Sequence, residues 1–230
     1  MSVMSRRGFA ASLVAAATLP GCSSGPRYHF NFRTVVSVTL GGSRFVGEGV
    51  QGYTAYNSTS FPNPGSMVHS RLRGDSVPVK LPNDRVLFAL LVEAGDMGAV
   101  GYLDDWAITK ILGPHYGVDA GWQDNESEGT AFLESVDQGE VVESPRDKFP
   151  LFATFENLSD PASIRLVDAD TLHGLGLGPG RIESVTLQIT PDKITRESTR
   201  LLHGMRKKSG PGSGSYGTPF QFYPSHFTAY

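Results

Sequence analysis

From Tyr28 to Leu40 the even positions read Tyr28, Phe30, Phe32, Thr34, Val36, Val38 and Leu40, and the odd ones include His29, Asn31, Arg33, Ser37 and Thr39. A period of two sustained over this length predicts a long strand with its even face buried. Gly41-Gly42 then predicts a two-residue hairpin, because glycine adopts the positive φ that tight hairpin turns need. Pairing Leu40 with Ser43 sets Phe45 against Val38, Gly47 against Val36 and Gly49 against Thr34, so bare glycines make room for the large side chains. Gln51 to Ser66 is rich in Asn, Ser, Pro and Gly and reads as a loop.

The second hairpin follows. Met67 to Leu81 is extended, but its apolar phase changes from Val68 and Leu72 to Val77, Val79 and Leu81 across Gly74-Asp75, which predicts a β-bulge. Pro82-Asn83-Asp84 makes the turn, and the continuous apolar run Val86 to Val92 predicts a central strand covered on both faces. Tyr102 to Leu112 is the strongest helix, with Leu103, Ala107, Ile108, Ile111 and Leu112 on one stripe and Gly113-Pro114 as its stop. A weaker helix is expected over Thr130 to Val136. Strands are expected at Leu151 to Phe155, Ser163 to Val167 and Arg181 to Ile189, with a short helix started by Asp168 and a last helix over Ile194 to His203. The fold class is therefore α+β, mainly antiparallel β-sheet with two N-terminal hairpins and a few short helices.

Ahead of these elements, Arg6 and Arg7 precede a small-residue apolar run from Phe9 to Leu19, the order of a secretory signal. Ser5-Arg6-Arg7-Gly8-Phe9 resembles the start of a twin-arginine signal, and the resemblance makes Arg6 and Arg7 the signal-recognition residues. Leu19-Pro20-Gly21-Cys22 resembles the lipobox of bacterial lipoproteins, with Pro20 where a small or β-branched residue is usual. That resemblance implies cleavage before Cys22 and acylation of its thiol. Cys22 is the only cysteine; it has no internal disulfide partner, and acylation accounts for a lone thiol in an oxidising compartment. Cleavage after Ala15-Ala16-Ala17 is the alternative and would give a soluble periplasmic protein. The division is thus a signal over 1–21, an attachment site and tether over 22–26, one domain over 27–203 and a flexible Gly/Ser-rich, aromatic tail over 204–230. Residues 23–26 reach ~14 Å when extended, which holds an anchored domain close to the bilayer.

Charge sharpens the picture. The chain has 20 Lys+Arg and 23 Asp+Glu; two of the bases lie in the signal and three in the tail, so residues 22–203 carry 15 basic against 23 acidic. An exported acidic body argues against nucleic-acid binding and offers no polybasic patch, leaving the membrane, through lipidated Cys22, and an envelope protein as the expected partners.

Candidate chemistry is sparse, and no catalytic residue, metal or cofactor is assigned. His29, His69, His115, His173, His203 and His226 are scattered, without helical or finger spacing. Asp168-Ala169-Asp170 has the form of an acidic metal pair, but Asp168 is better read as a cap. Gly174, Gly176, Gly178 and Gly180 precede a strand and include no Lys-Ser/Thr, so they read as a loop rather than a phosphate cradle. Asp104 with Asp105, or Asp119 with Asp124 and Glu126, would serve a hydrolase of envelope polymers. Trp106 and Trp122 would stack on a sugar or join the core.

Gly74-Asp75-Ser76-Val77-Pro78-Val79-Lys80-Leu81 with Leu87 to Leu91, and Phe155 to Pro161 with Val167-Asp168 and Gly178-Pro179-Gly180, resemble a family of bacterial envelope proteins without assigned activity. The resemblance implies a recurring domain. The functional expectation is an exported, lipid-anchored binding or structural module, with the periplasmic hydrolase as the alternative.

Overall fold

The computed structural model describes residues 27–59, 66–93, 106–117, 139–202 and 228–229. Strand β1 (Arg27–Leu40) pairs antiparallel with β2 (Ser43–Thr59), with Leu40 facing Ser43, Val38 facing Phe45, Val36 facing Gly47 and Thr34 facing Gly49. Gly41 and Gly42 take φ of +57° and +81° in the turn between them. Phe30, Phe32, Thr34, Val36, Val38 and Leu40 are buried. Ser37, on the opposite face, is buried as well, because the Arg44 guanidinium lies over it and donates two hydrogen bonds to its hydroxyl, at 2.9 and 2.7 Å.

The loop expected from Gln51 is instead a continuation of β2 as far as Thr59, between β1 and β3 (Ser66–Asp75). From Gly52 to Tyr56 it has a paired strand on each side, and from Asn57 to Thr59 it pairs with β3, which outweighs a side-chain composition that favours turns. Beyond β3 the chain changes sheets. Arg73 pairs with Gly52, whereas β4 (Val77–Lys80) pairs with β5 (Val86–Glu93), Val77 opposite Ala89. The phase change at Gly74-Asp75 is therefore a crossing between sheets and not a bulge. Gly74 makes the corner at φ +129°.

The remaining strands are β6 (Val141–Glu143), β7 (Pro150–Phe155), β8 (Ile164–Val167), β9 (Gly180–Thr190) and β10 (Thr228–Ala229). The protein is mostly antiparallel β-sheet: a six-stranded sheet in the order β10-β3-β2-β1-β9-β6 and a four-stranded sheet in the order β4-β5-β7-β8. Of the tail, only Thr228 and Ala229 are described, opposite Asp75 and Gly74 at the sheet edge.

The main core lies between the sheets, where Phe32, Val36, Val38, Leu187 and Ile189 gather with Leu87, Ala89 and Leu91. The other face of β5 presents Val86, Phe88, Leu90 and Val92, which cluster with Ala153, Phe155, Ile164 and Leu202. A strand buried on both faces cannot alternate, hence its unbroken apolar run. The sheets approach closely where β4 crosses β2: a Cβ on Gly47 would stand 2.4 Å from the Pro78 carbonyl oxygen.

The helices are few and short. Trp106 leads into a π-helical segment, Ala107–Leu112, and then into a single turn, α1 (Gly113–His115). The expected stop at Gly113-Pro114 is thus inside the element. Pro114 sits in the first α turn, where a missing N–H leaves no bond unmade, and Gly117 at φ +73° follows the end. The stripe of Ala107, Ile108, Ile111 and Leu112 is buried as its spacing predicts. The expected helix at Asp168 is a turn, and the last helix is shorter than expected, α2 (Glu197–Leu201). The expected helix over 130–136 and residues 102–105 lie outside the described residues. No helix among the described residues is long and apolar enough to cross a membrane.

Candidate functional site

Asp75, only 1 % exposed, is the one fully buried carboxylate among the described residues. It stands where β3 leaves the large sheet, and α2 presents donors to it. The backbone N–H and the hydroxyl of Thr199 donate to its carboxylate at 2.7 and 3.0 Å, and Arg196 ion-pairs with it at 3.3 Å. Beside it, Ser198 donates to the Ser76 carbonyl at 2.7 Å, with the two buried hydroxyls 3.0 Å apart. From the other side, the Gln51 amide donates to the Asp75 carbonyl at 2.8 Å and accepts from the Thr34 hydroxyl at 3.0 Å. A polar chain thus runs from β1 through β2 and the sheet crossing to α2. Each buried polar group in it has a partner, as burial in low dielectric requires.

Gln51 and Thr34 also line a cavity of about 20 Å³ between the sheets. Its other walls are Phe32, Leu72, Val77, Ala89, Leu90, Leu91, Trp106, Ala107 and Pro150, so no titratable group faces it. Such a volume admits about one water-sized guest. Its lining offers no side chain that could transfer a proton. The start of the π-helical segment forms part of the wall; π turns are rare and recur at functional sites.

The exposed carboxylates are occupied differently. Asp168 accepts from the Thr171 hydroxyl and N–H, both at 2.9 Å, and from the Asp170 N–H at 3.0 Å, and these bonds lower its pKa. Asp170 ion-pairs with Arg146 at 2.5 Å. Glu183 is lowered by hydrogen bonds from Arg181 and then Thr39, and Asp192 by Thr190 and then Arg33. All three shifts favour the charged form.

Cys22, Arg6 and Arg7 lie outside the described residues, as do Asp104, Asp105, Asp119, Asp124, Glu126 and Trp122. Trp106 is core, and its indole N–H donates to the Lys148 carbonyl. His29 is exposed, 3.0 Å from the Thr54 hydroxyl, and His115 stands 3.0 Å from Glu140. Among the described residues no three metal-ligating side chains converge. Gly174, Gly176 and Gly178 lie in the loop that leads into β9 at Gly180; a Cβ at Gly174 would meet the Leu166 carbonyl oxygen at 2.6 Å, whereas one at Gly176 or Gly178 would meet nothing within 4 Å. Sequence reasoning passed over Thr34, Gln51, Asp75 and Ser198. The available signals were Thr34 on an apolar face and Asp75 beside the glycine of a phase change. Compared with protein families, with curated proteins and with solved structures, the chain matches none.

Proposed function

We propose that the chain is an exported, lipid-anchored envelope protein facing the periplasm, whose α+β domain, opened by two hairpins, acts as a binding or structural module. The observation that carries this reading is a spacing: Leu19-Pro20-Gly21-Cys22 ends four residues before β1 begins at Arg27. A thiol at that position precedes the first strand in sequence, so its acylation would take no residue from the sheets, and a tether of ~14 Å when extended would keep the domain at the bilayer surface. The neutral lining of the inter-sheet cavity supports binding over proton chemistry.

The test is fractionation of the parent and a Cys22→Ser chain, with mass spectrometry of the mature N-terminus. Acyl chains contribute about 0.8 kcal/mol per buried CH₂, so the parent is expected in the membrane fraction and Cys22→Ser in the soluble fraction at physiological salt. An unmodified mature N-terminus at Thr18 would overturn the anchor.

A further inference from the structure

The acidic balance of the domain is not evenly spread. The paired strand ends nearest the tether, residues 27–33 of β1, 50–59 of β2 and 66–74 of β3, hold four arginines and two histidines and not one Asp or Glu. The sheet sorts these residues onto one side. Phe30, Phe32, Tyr53 and Leu72 point into the core, so the alternate positions His29, Arg33, Arg71 and Arg73 share the outer face. His29, Thr54 and Arg71 form one row across the three strands, and Asn31, Gly52 and Arg73 form the next. His29, Arg71 and Arg73 are exposed.

Residues 191–196 lie beside this face. Thr195 bonds through its N–H to the Val50 carbonyl at 3.0 Å, and Ile194 packs where a Cβ on Gly52 would stand. The same segment carries exposed Lys193 and a carboxylate, Asp192, which Arg33 and Thr190 engage. Among the described residues, the outer face at this end therefore carries more basic than acidic side chains.

We propose that this end of the outer face is a second membrane contact, in which Arg71, Arg73 and Lys193 meet the phosphate-bearing headgroups of anionic phospholipids in the bilayer that anchors Cys22. The inference takes its orientation from the lipid-anchor reading. Arg71 and Arg73 align with the third and fifth residues of β1, about 7 and 13 Å along the strand from Arg27. With a tether of ~14 Å, a tilt of the sheet brings both to the surface, where the potential decays over about 8 Å at physiological salt. Basic residues near an anionic surface contribute additively, each raising the partition coefficient about fivefold. The contact thus orients an anchored domain without holding an unanchored one at physiological salt.

The test is flotation of the full Cys22→Ser chain with vesicles of phosphatidylcholine alone and of phosphatidylcholine mixed with phosphatidylglycerol, at low and physiological salt. Binding is expected only to the mixed vesicles, falling steeply with salt. Arg71→Gln/Arg73→Gln should lower the partition coefficient about 25-fold, and Lys193→Gln about fivefold. The single variant keeps the test alive if the double variant melts early. Equal partition into both vesicles, or parent-like partition of a folded variant, would overturn the contact. Mass spectrometry judges the anchor separately: an acylated N-terminus without phosphatidylglycerol preference refutes the contact alone, and an unmodified one with that preference refutes the anchor alone.

Discussion

Asp75, at the end of β3, accepts hydrogen bonds from both the backbone N–H and the hydroxyl of Thr199, 124 residues later in the chain. The pair joins the point where the chain changes sheets to the helix that covers part of the smaller sheet. Removing the carboxylate would leave the Thr199 donors without their buried acceptor and break its ion pair with Arg196. Asp75→Ala should therefore cost about 3 kcal/mol in urea unfolding followed by tryptophan fluorescence. A loss below about 0.5 kcal/mol, the range of an ordinary surface substitution, would mean that α2 docks through Leu201 and Leu202 alone.

Gly47→Ala tests the close approach of β2 and β4. The added methyl would stand 2.4 Å from the Pro78 oxygen and 2.8 Å from a Val79 methyl, so β2 and β4 must separate. Overpacking of this kind costs about 1 to 3 kcal/mol. Gly42→Ala is the control, because its Cβ would meet nothing within 4 Å and only the positive φ opposes it. Gly47→Ala should be the more damaging in thermal melts, and the reverse order would misplace the contact.

Phe32, 2 % exposed, lies on the buried face of β1 and lines the inter-sheet cavity. Phe32→Ala should cost about 3 to 5 kcal/mol, since the lost burial adds to an enlarged void. Xenon or another small apolar guest should recover part of that loss for the variant and little for the parent. Parent-like stability would show that the face is not packed.

Acid stability follows from the carboxylates. Asp168, Glu183 and Asp192 have folded pKa values below their ordinary values. Each therefore contributes stability that is fully present above the unfolded value, about 3.9 for Asp and 4.3 for Glu, and is lost as pH falls through the folded pKa. Melting temperatures should decline from about pH 5 downward. The combined variant Asp168→Asn, Glu183→Gln, Asp192→Asn should decline less steeply, and a parallel decline would show that other groups govern the acid limb.

Features that depend on neighbouring residues are legible along the chain. The period from Tyr28 to Leu40 selects a strand and its buried face, because side chains on a strand alternate whatever its partner. Gly41-Gly42 sets the register of Leu40 opposite Ser43, because a two-residue turn leaves no slack. The unbroken run from Val86 marks a strand without a solvent face, and Val86 to Val92 are all buried.

Where strands stop and what they pair with depends on long-range packing. Gln51 to Thr59 has loop composition and is strand because β1 pairs with it as far as Tyr56 and β3 pairs with it from Gly52 to Thr59. The phase change at Gly74-Asp75 looks the same locally whether it is a bulge or a change of sheet. What separates the two is the partner of Val77, which is Ala89. The polar chain through Thr34, Gln51, Asp75 and Thr199 and the cationic outer face likewise assemble residues from distant parts of the chain. Their chemistry is written at single positions, but their proximity comes from burying apolar area between two sheets, a long-range term that no local window contains.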